Sequence, residues 1–123
     1  PERADMSVTV WAHSTPVQLT YISAITVLEL EMGVLKAERT QPEHGKVLRA
    51  WLNDQVLPQF EGRILPVDKK VAKLCAAMHV PNKKSERDAL IAATAKANGF
   101  RVATRNTADF IGTGVELVNP WGA

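Results

Sequence analysis

The stretch SERDALIAATAKAN, residues Ser85–Asn98, decides the fold of this 123-residue chain. Ser85 followed three residues later by Asp88 is the spacing of a helix N-terminus, with the acidic side chain in the first turn. Apolar and small side chains then recur at helical spacing, and alanine at most of the other positions lets the helix lie close against a sheet. The residues predicted to share its apolar face are Leu90, Ile91, Thr94 and Ala95.

The segment after this helix predicts a strand and a second acidic turn. Gly99 ends the helix, Phe100–Thr104 has the composition of a short strand, and Asn106 begins a turn that ends in Asp109-Phe110. One carboxylate therefore starts a helix, and another follows the carboxyl end of a strand. This arrangement is typical of an active site in an α/β sheet.

The remaining chain alternates predicted strands with predicted helices. Strands are expected at Gln18–Ile22, Gly62–Val67 and Val115–Val118, and helices at Ala4–His13, Val27–Lys36, Glu43–Gln59 and from the capping residue Asp68 through Met78. Such alternation predicts one α/β domain over residues 1–123, built as three α/β/α layers around a mainly parallel sheet.

Composition indicates an ordinary globular domain. The chain is 46% hydrophobic and 23% charged, and its net charge of +2 permits a polyanionic partner without requiring one. Cys75 is the only cysteine, so disulfides are excluded and a cytoplasmic setting is expected. No apolar run approaches the roughly 18 residues that a membrane span needs.

Three acidic residues share one local pattern. Glu29 follows Thr26 by three residues, as Asp88 follows Ser85 and Asp109 follows Asn106. One interpretation is three helix caps, each contributing about 1 kcal/mol to stability. The other is a metal site, because carboxylates gathered at one sheet edge need a divalent cation, and oxygen ligands without His or Cys select Mg²⁺ or Mn²⁺.

Other chemistry-bearing residues have two interpretations as well. The basic residues beside these acids either hold phosphates or are solvated; they are Lys83, Lys84, Arg87, Arg101 and Arg105. The scattered histidines are expected to be surface or packing residues rather than metal ligands; they are His13, His44 and His79.

Three blocks of the sequence resemble PIN-domain ribonucleases of the VapC/FitB toxin type. They are Tyr21–Leu30 (YISAITVLEL), Arg87–Ala95 (RDALIAATA) and Ala103–Phe110 (ATRNTADF), in the same order as in that family. The segments Phe60–Pro66 and Asn119-Pro120-Trp121 are similar to the same branch, so the resemblance extends over essentially the whole chain.

The resemblance implies a function, a site and partners. It implies a Mg²⁺-dependent (or Mn²⁺-dependent) endoribonuclease toxin of a type II toxin–antitoxin pair, with Glu29, Asp88 and Asp109 as metal ligands. Asn106 stands where some relatives have Asp, and is either a neutral ligand or an orienting residue. The implied partners are an RNA substrate, a small antitoxin, a second copy of the chain and, through the antitoxin, operator DNA; no membrane is implied.

The chain departs from this family at its start. The family's first strand, which ends in a catalytic Asp, has no counterpart, so we expect an upstream strand of about five or six residues. Asp5 lies downstream of that place and is not assigned as a ligand. Because one ligand is missing, a second function is also considered. In this alternative the chain is a toxin-like subunit of a DNA-binding autoregulatory complex and has little nuclease activity. A Mg²⁺-dependent phosphatase is less favoured, because the Asp-x-Asp-x nucleophile motif is absent.

Overall fold

The computed structural model describes residues 17–120, and the predicted helix Ala4–His13 and Trp121 lie outside that range. The chain divides into two compact units. One is formed by residues 21–66, and the other by residues 67–120 together with residues 17–20.

The unit formed by residues 21–66 is mainly a pair of helices. Its elements are β1 (Ile22–Ser23), α1 (Ala24–Thr40), α2 (Pro42–Trp51), a π-helical segment (Leu52–Val56), α3 (Leu57–Gln59) and β2 (Ile64–Leu65). The strands β1 and β2 pair in parallel, with Ile22 opposite Ile64.

The start of α1 differs from the prediction. Ser23 is the N-cap, and its Oγ accepts a hydrogen bond from the backbone N–H of Thr26 at 3.0 Å. The helix therefore begins at Ala24 rather than Val27, because the earlier of two residues able to cap it does so. It also continues past the predicted end, to Thr40.

The predicted strand Gln18–Ile22 is wrong in most of its length. Val17–Leu19 forms a 3₁₀ turn, and the strand is confined to Ile22–Ser23. A strand exists only where a partner supplies hydrogen bonds, and here the N–H of Ile22 donates to the carbonyl of Arg63 at 3.2 Å.

The predicted helix Glu43–Gln59 is present but not regular. Its middle widens into a π-helical segment, in which the N–H of Leu57 donates to the carbonyl of Leu52, five residues earlier. Pro58 explains the change, because a proline has no N–H and its ring clashes with the preceding turn of an α-helix. Leu52 in this segment is fully buried, as is Val34 in α1.

The other unit holds both predicted acidic turns. Its elements are the 3₁₀ turn Val17–Leu19, α4 (Lys69–Met78), α5 (Glu86–Ala97), β3 (Val102–Ala103), a 3₁₀ turn (Thr107–Phe110) and β4 (Leu117–Val118). The strands β3 and β4 pair in parallel, with Val102 opposite Leu117. Asp68 caps α4 as predicted, since its Oδ1 accepts the N–H of Val71 at 3.0 Å.

The small side chains of α5 form the centre of this unit. Ala89, Ala92 and Ala93 are fully buried, whereas Leu90 and Ile91 are only half-buried at the edge of the core. The predicted apolar face is therefore displaced toward the alanines. Without bulky side chains on that face, α4 and the turn that contains Phe110 can pack close to the helix backbone.

The predicted α/β class with parallel strands is confirmed, although each strand is shorter than predicted. Among residues 17–120, no helix is both long and apolar enough to span a membrane.

Candidate metal centre

Asp88 lies in the first turn of α5. It is the third residue of the helix and is half-buried, and Ser85 is the N-cap, as predicted. The hydroxyl of Ser85, however, makes no capping hydrogen bond. The reciprocal capping box is therefore incomplete, and what favours a carboxylate here is the positive end of the helix dipole.

Asp109 lies in the 3₁₀ turn that follows β3. Its backbone N–H donates to the carbonyl of Asn106 at 3.1 Å, while the Asn106 N–H donates to Oγ1 of Thr104 at 3.0 Å. The side chain of Asn106 makes no capping hydrogen bond to the turn, and Asp109 is exposed. Backbone and threonine hydrogen bonds thus hold the turn and leave the Asp109 carboxylate facing solvent.

The two acidic elements pack against each other. The turn Thr107–Phe110 contacts α5, and the buried ring of Phe110 belongs to the same core cluster as Ala89 and Ala92. Asp88 and Asp109 are therefore carried by adjacent elements of one compact unit. Both elements are anchored in the core, as the fixed geometry of a ligand site requires.

Glu29 lies in the unit formed by residues 21–66. It is half-buried in the second turn of α1, beyond the first turn that Ser23 caps. The capping interpretation of Glu29 is therefore wrong, since Thr26 is inside the helix rather than at its N-cap. Capping does not account for a glutamate at this position.

The donor chemistry of the proposed ligands suits a hard cation. Within the described residues of each unit, no three His, Cys, Asp or Glu side chains are grouped so that they can hold a metal ion. Glu29, Asp88, Asn106 and Asp109 offer only carboxylate and amide oxygens, which Mg²⁺ and Mn²⁺ prefer. The assignment of these four residues to one site stays a prediction.

The loop before α5 contains contacts that the sequence did not reveal. His79, at the end of α4, accepts the backbone N–H of Lys84 on Nδ1 at 3.0 Å, and its Nε2 lies 3.7 Å from Sγ of Cys75. His79 is thus a packing residue, as predicted. Burial raises the pKa of the Cys75 thiol, and the negative charge of Glu86 raises it further. The available signal was the four-residue spacing of Cys75 and His79, which places them on one helix face.

The chain is similar to a known protein domain and to several known proteins. A model of the PIN domain matches residues 5–113. The chain is 36% identical to the VapC ribonuclease Y4jK of Sinorhizobium fredii over 95% of this chain and 86% of that protein. It is 40% identical to Toxin FitB of Neisseria gonorrhoeae over 93% and 84% of the two chains. The solved structure of FitAB bound to an IR36 DNA fragment superposes with a TM-score of 0.86 and 35% identity, covering 100% of this chain and 90% of that chain.

Proposed function

The chain belongs to the PIN-domain family, and from this premise we propose that it is a metal-dependent endoribonuclease, the toxin of a type II toxin–antitoxin pair. The observation that carries the proposal is its similarity to a VapC ribonuclease over almost the full chain. The packing of the Asp109 turn against the helix that carries Asp88 supports it, because these elements contain two of the proposed ligands.

We propose Glu29, Asp88 and Asp109 as ligands of Mg²⁺ or Mn²⁺, with Asn106 orienting the acidic turn. A bound divalent ion supplies an activated water and neutralises charge on a phosphodiester oxygen. The protein supplies the ligand positions. The start of α5 favours negative charge at Asp88, and the hydrogen bonds of Thr104 and Asn106 fix the turn that carries Asp109.

The substitution Asp88→Asn tests the proposal directly. It removes one negative ligand but keeps the side-chain shape, so we expect RNA cleavage in Mn²⁺ or Mg²⁺ to fall at least about a hundredfold. The melting temperature is expected to stay within a few degrees of the parent, because Ser85 and not Asp88 occupies the N-cap. Cleavage of a labelled single-stranded RNA and a thermal melt measure the two effects.

Asp68→Asn is the matched control for this substitution. Asp68 also lies at a helix start, where its carboxylate caps α4, and asparagine is an equally good cap. We expect this variant to cleave RNA at the parent rate. Full cleavage by Asp88→Asn together with a much lower melting temperature would identify Asp88 as a structural residue and contradict the proposal.

A second candidate function is a toxin-like subunit of a DNA-binding complex with little nuclease activity. The similarity to FitAB bound to a DNA fragment favours it. In both cases we propose a small antitoxin as partner, a homodimer as the assembly and the cytoplasm as the location, with DNA bound through the antitoxin. A pure protein that binds its antitoxin but cleaves no RNA in Mn²⁺ would select this second function.

A further inference from the structure

Two hydrogen bonds hold Lys84, which lies in the loop between α4 and α5. Its backbone N–H donates to Nδ1 of His79, and its Nζ donates to the carbonyl of Asn82, each at 3.0 Å. Its Cε lies 3.0 Å from the position that a Cβ on Gly112 would occupy. Lys84 is half-buried, whereas the neighbouring Lys83 is exposed. The hydrogen bond to Asn82 restricts a side chain that in most surface lysines is free to rotate.

The Lys84 side chain connects the start of α5 with the segment that follows the Asp109 turn. Lys84 directly precedes Ser85, the N-cap of the helix that carries Asp88. Gly112 comes three residues after Asp109, in a segment tied back to the acidic turn by the hydroxyl of Thr113, which donates to the carbonyl of Phe110 at 2.7 Å. The side chain of Lys84 therefore extends from the start of α5 to the segment that closes the Asp109 turn.

The ammonium group remains able to bind an anion. It carries three N–H donors, and the contact with the neutral Asn82 carbonyl uses one of them and leaves the charge in place. A cation carried between the start of α5 and the segment after the Asp109 turn is suited to a ligand that brings its own negative oxygens together with a metal ion. A phosphodiester has this chemistry, since one oxygen can contact the metal and another can accept from the lysine.

We propose that Lys84 is the substrate-binding cation that holds an RNA phosphate next to the metal ligands Asp88 and Asp109. This inference rests on the proposed function. His79 acts through Lys84 as a positioning residue, because its imidazole fixes the backbone from which the side chain extends. Gly112 suits this place, because its φ of +85° is rarely adopted by a residue with a side chain.

The test compares Lys84→Met, which keeps the apolar stem and removes the charge, with Lys84→Arg, which keeps the charge. Affinity for a labelled single-stranded RNA of mixed sequence is measured over a salt series in EDTA, where no cleavage occurs. For Lys84→Met we expect severalfold weaker binding at low salt and a log–log salt slope shallower by about 0.7, the value for one lost phosphate contact. Lys84→Arg is expected to restore most of the slope.

The matched control is Lys73→Met, because Lys73 is an exposed lysine on α4 of the same unit. It is expected to keep the parent slope. Cleavage in Mn²⁺ gives a second readout, in which Lys84→Met raises KM more than it lowers kcat. A purely structural role for Lys84 would change the melting temperature but not the salt slope.

The outcomes separate this inference from the proposed function. In one outcome the parent protein cleaves RNA while Lys84→Met has the same salt slope and KM as Lys73→Met. That result would contradict the role of Lys84 but not the proposed function. A parent protein that neither binds nor cleaves RNA overturns the proposed function and this inference with it.

Discussion

Arg49 contacts two glutamates of the neighbouring helix at once. Its Nη1 and Nη2 donate to the two carboxylate oxygens of Glu31 at 2.8 Å, and its Nε and Nη2 donate to those of Glu38 at 3.1 Å. These hydrogen bonds from Arg49 lower the pKa of both carboxyls, against the opposing effect of desolvation. The guanidinium thereby fixes the register of α2 on α1, since a planar donor group fits two carboxylates in only one orientation.

The predicted consequence is a pH-dependent contribution to stability. Because the carboxyl pKa values are lowered in the folded protein, the contribution is present above the usual glutamate pKa and is lost as the pH falls through the folded values. We expect Arg49→Met to lower the melting temperature by a few degrees at pH 7, and the difference from the parent to shrink below about pH 4. Thermal melts from acid to neutral pH measure it.

Lys46→Met is the control for Arg49→Met. The Lys46 ammonium lies 3.9 Å from Glu43 with both side chains largely exposed, so removing it changes the melting temperature little. If the deficit of Arg49→Met stayed constant down to pH 3, it would come from lost packing of the arginine stem rather than from the ion pairs.

At the scale of elements, two glycines in helices have opposite roles. Gly45 is buried in α2, and a Cβ there would come within 2.5 Å of Cα and 2.6 Å of N of Glu38 in α1. Gly33 lies exposed in α1, with no atom within 4 Å of the position of such a Cβ. Only Gly45 therefore permits the close approach of the two helices.

The two alanine substitutions are expected to have opposite signs. Gly33→Ala gains helix propensity and should raise the free energy of unfolding by up to about 1 kcal/mol. Gly45→Ala gains the same propensity but forces α1 and α2 apart, at an overpacking cost of about 1–3 kcal/mol, so it should lower stability on balance. Urea denaturation of both variants measures the difference. Equal stabilisation by the two would show that α2 shifts away from Glu38 at no cost.

The sequence predicts elements best where one residue determines the local geometry. Asp68 is the one residue placed to cap α4, and it does so as predicted. Ser23 and Thr26 are both able to cap α1, and their hydroxyls lie 3.1 Å apart, so sequence pattern could not choose between them. Strand extent was the least predictable property, because it depends on a partner distant in the chain rather than on local composition.

At the scale of the whole molecule, the order of the blocks was more informative than any single block. The PIN resemblance and its α/β class, read from three separated stretches, are confirmed by a family match over residues 5–113. The position of Lys84 beside Gly112 could not be predicted, because packing brings the two residues together from distant parts of the chain. The sequence pattern pointed to the acidic side chains of the proposed site. The contacts that support these side chains could be seen only in the structure.

The proposed ligands are widely separated along the chain, so metal binding should be visible in the stability of the whole protein. A ligand that binds only the folded state stabilises it, by about 2.7 kcal/mol at roughly a hundredfold excess over its dissociation constant. We expect Mn²⁺ to raise the melting temperature of the parent, and Glu29→Gln, Asp88→Asn and Asp109→Asn each to remove most of that rise. Without metal, Asp88→Asn should change the melting temperature by no more than a few degrees, because Ser85 and not Asp88 occupies the N-cap.

Glu43→Gln is the control for these substitutions, since Glu43 is an exposed glutamate in the first turn of α2. It should keep the full Mn²⁺-dependent rise, because loss of a surface charge alone does not weaken a metal site. A full rise retained by one of the three variants would exclude that residue from the ligand set. Loss of the rise in only two variants would identify these two carboxylates as the residues that bind the ion. A parent protein with no rise at saturating Mn²⁺ would instead count against metal binding by residues 1–123 as a whole.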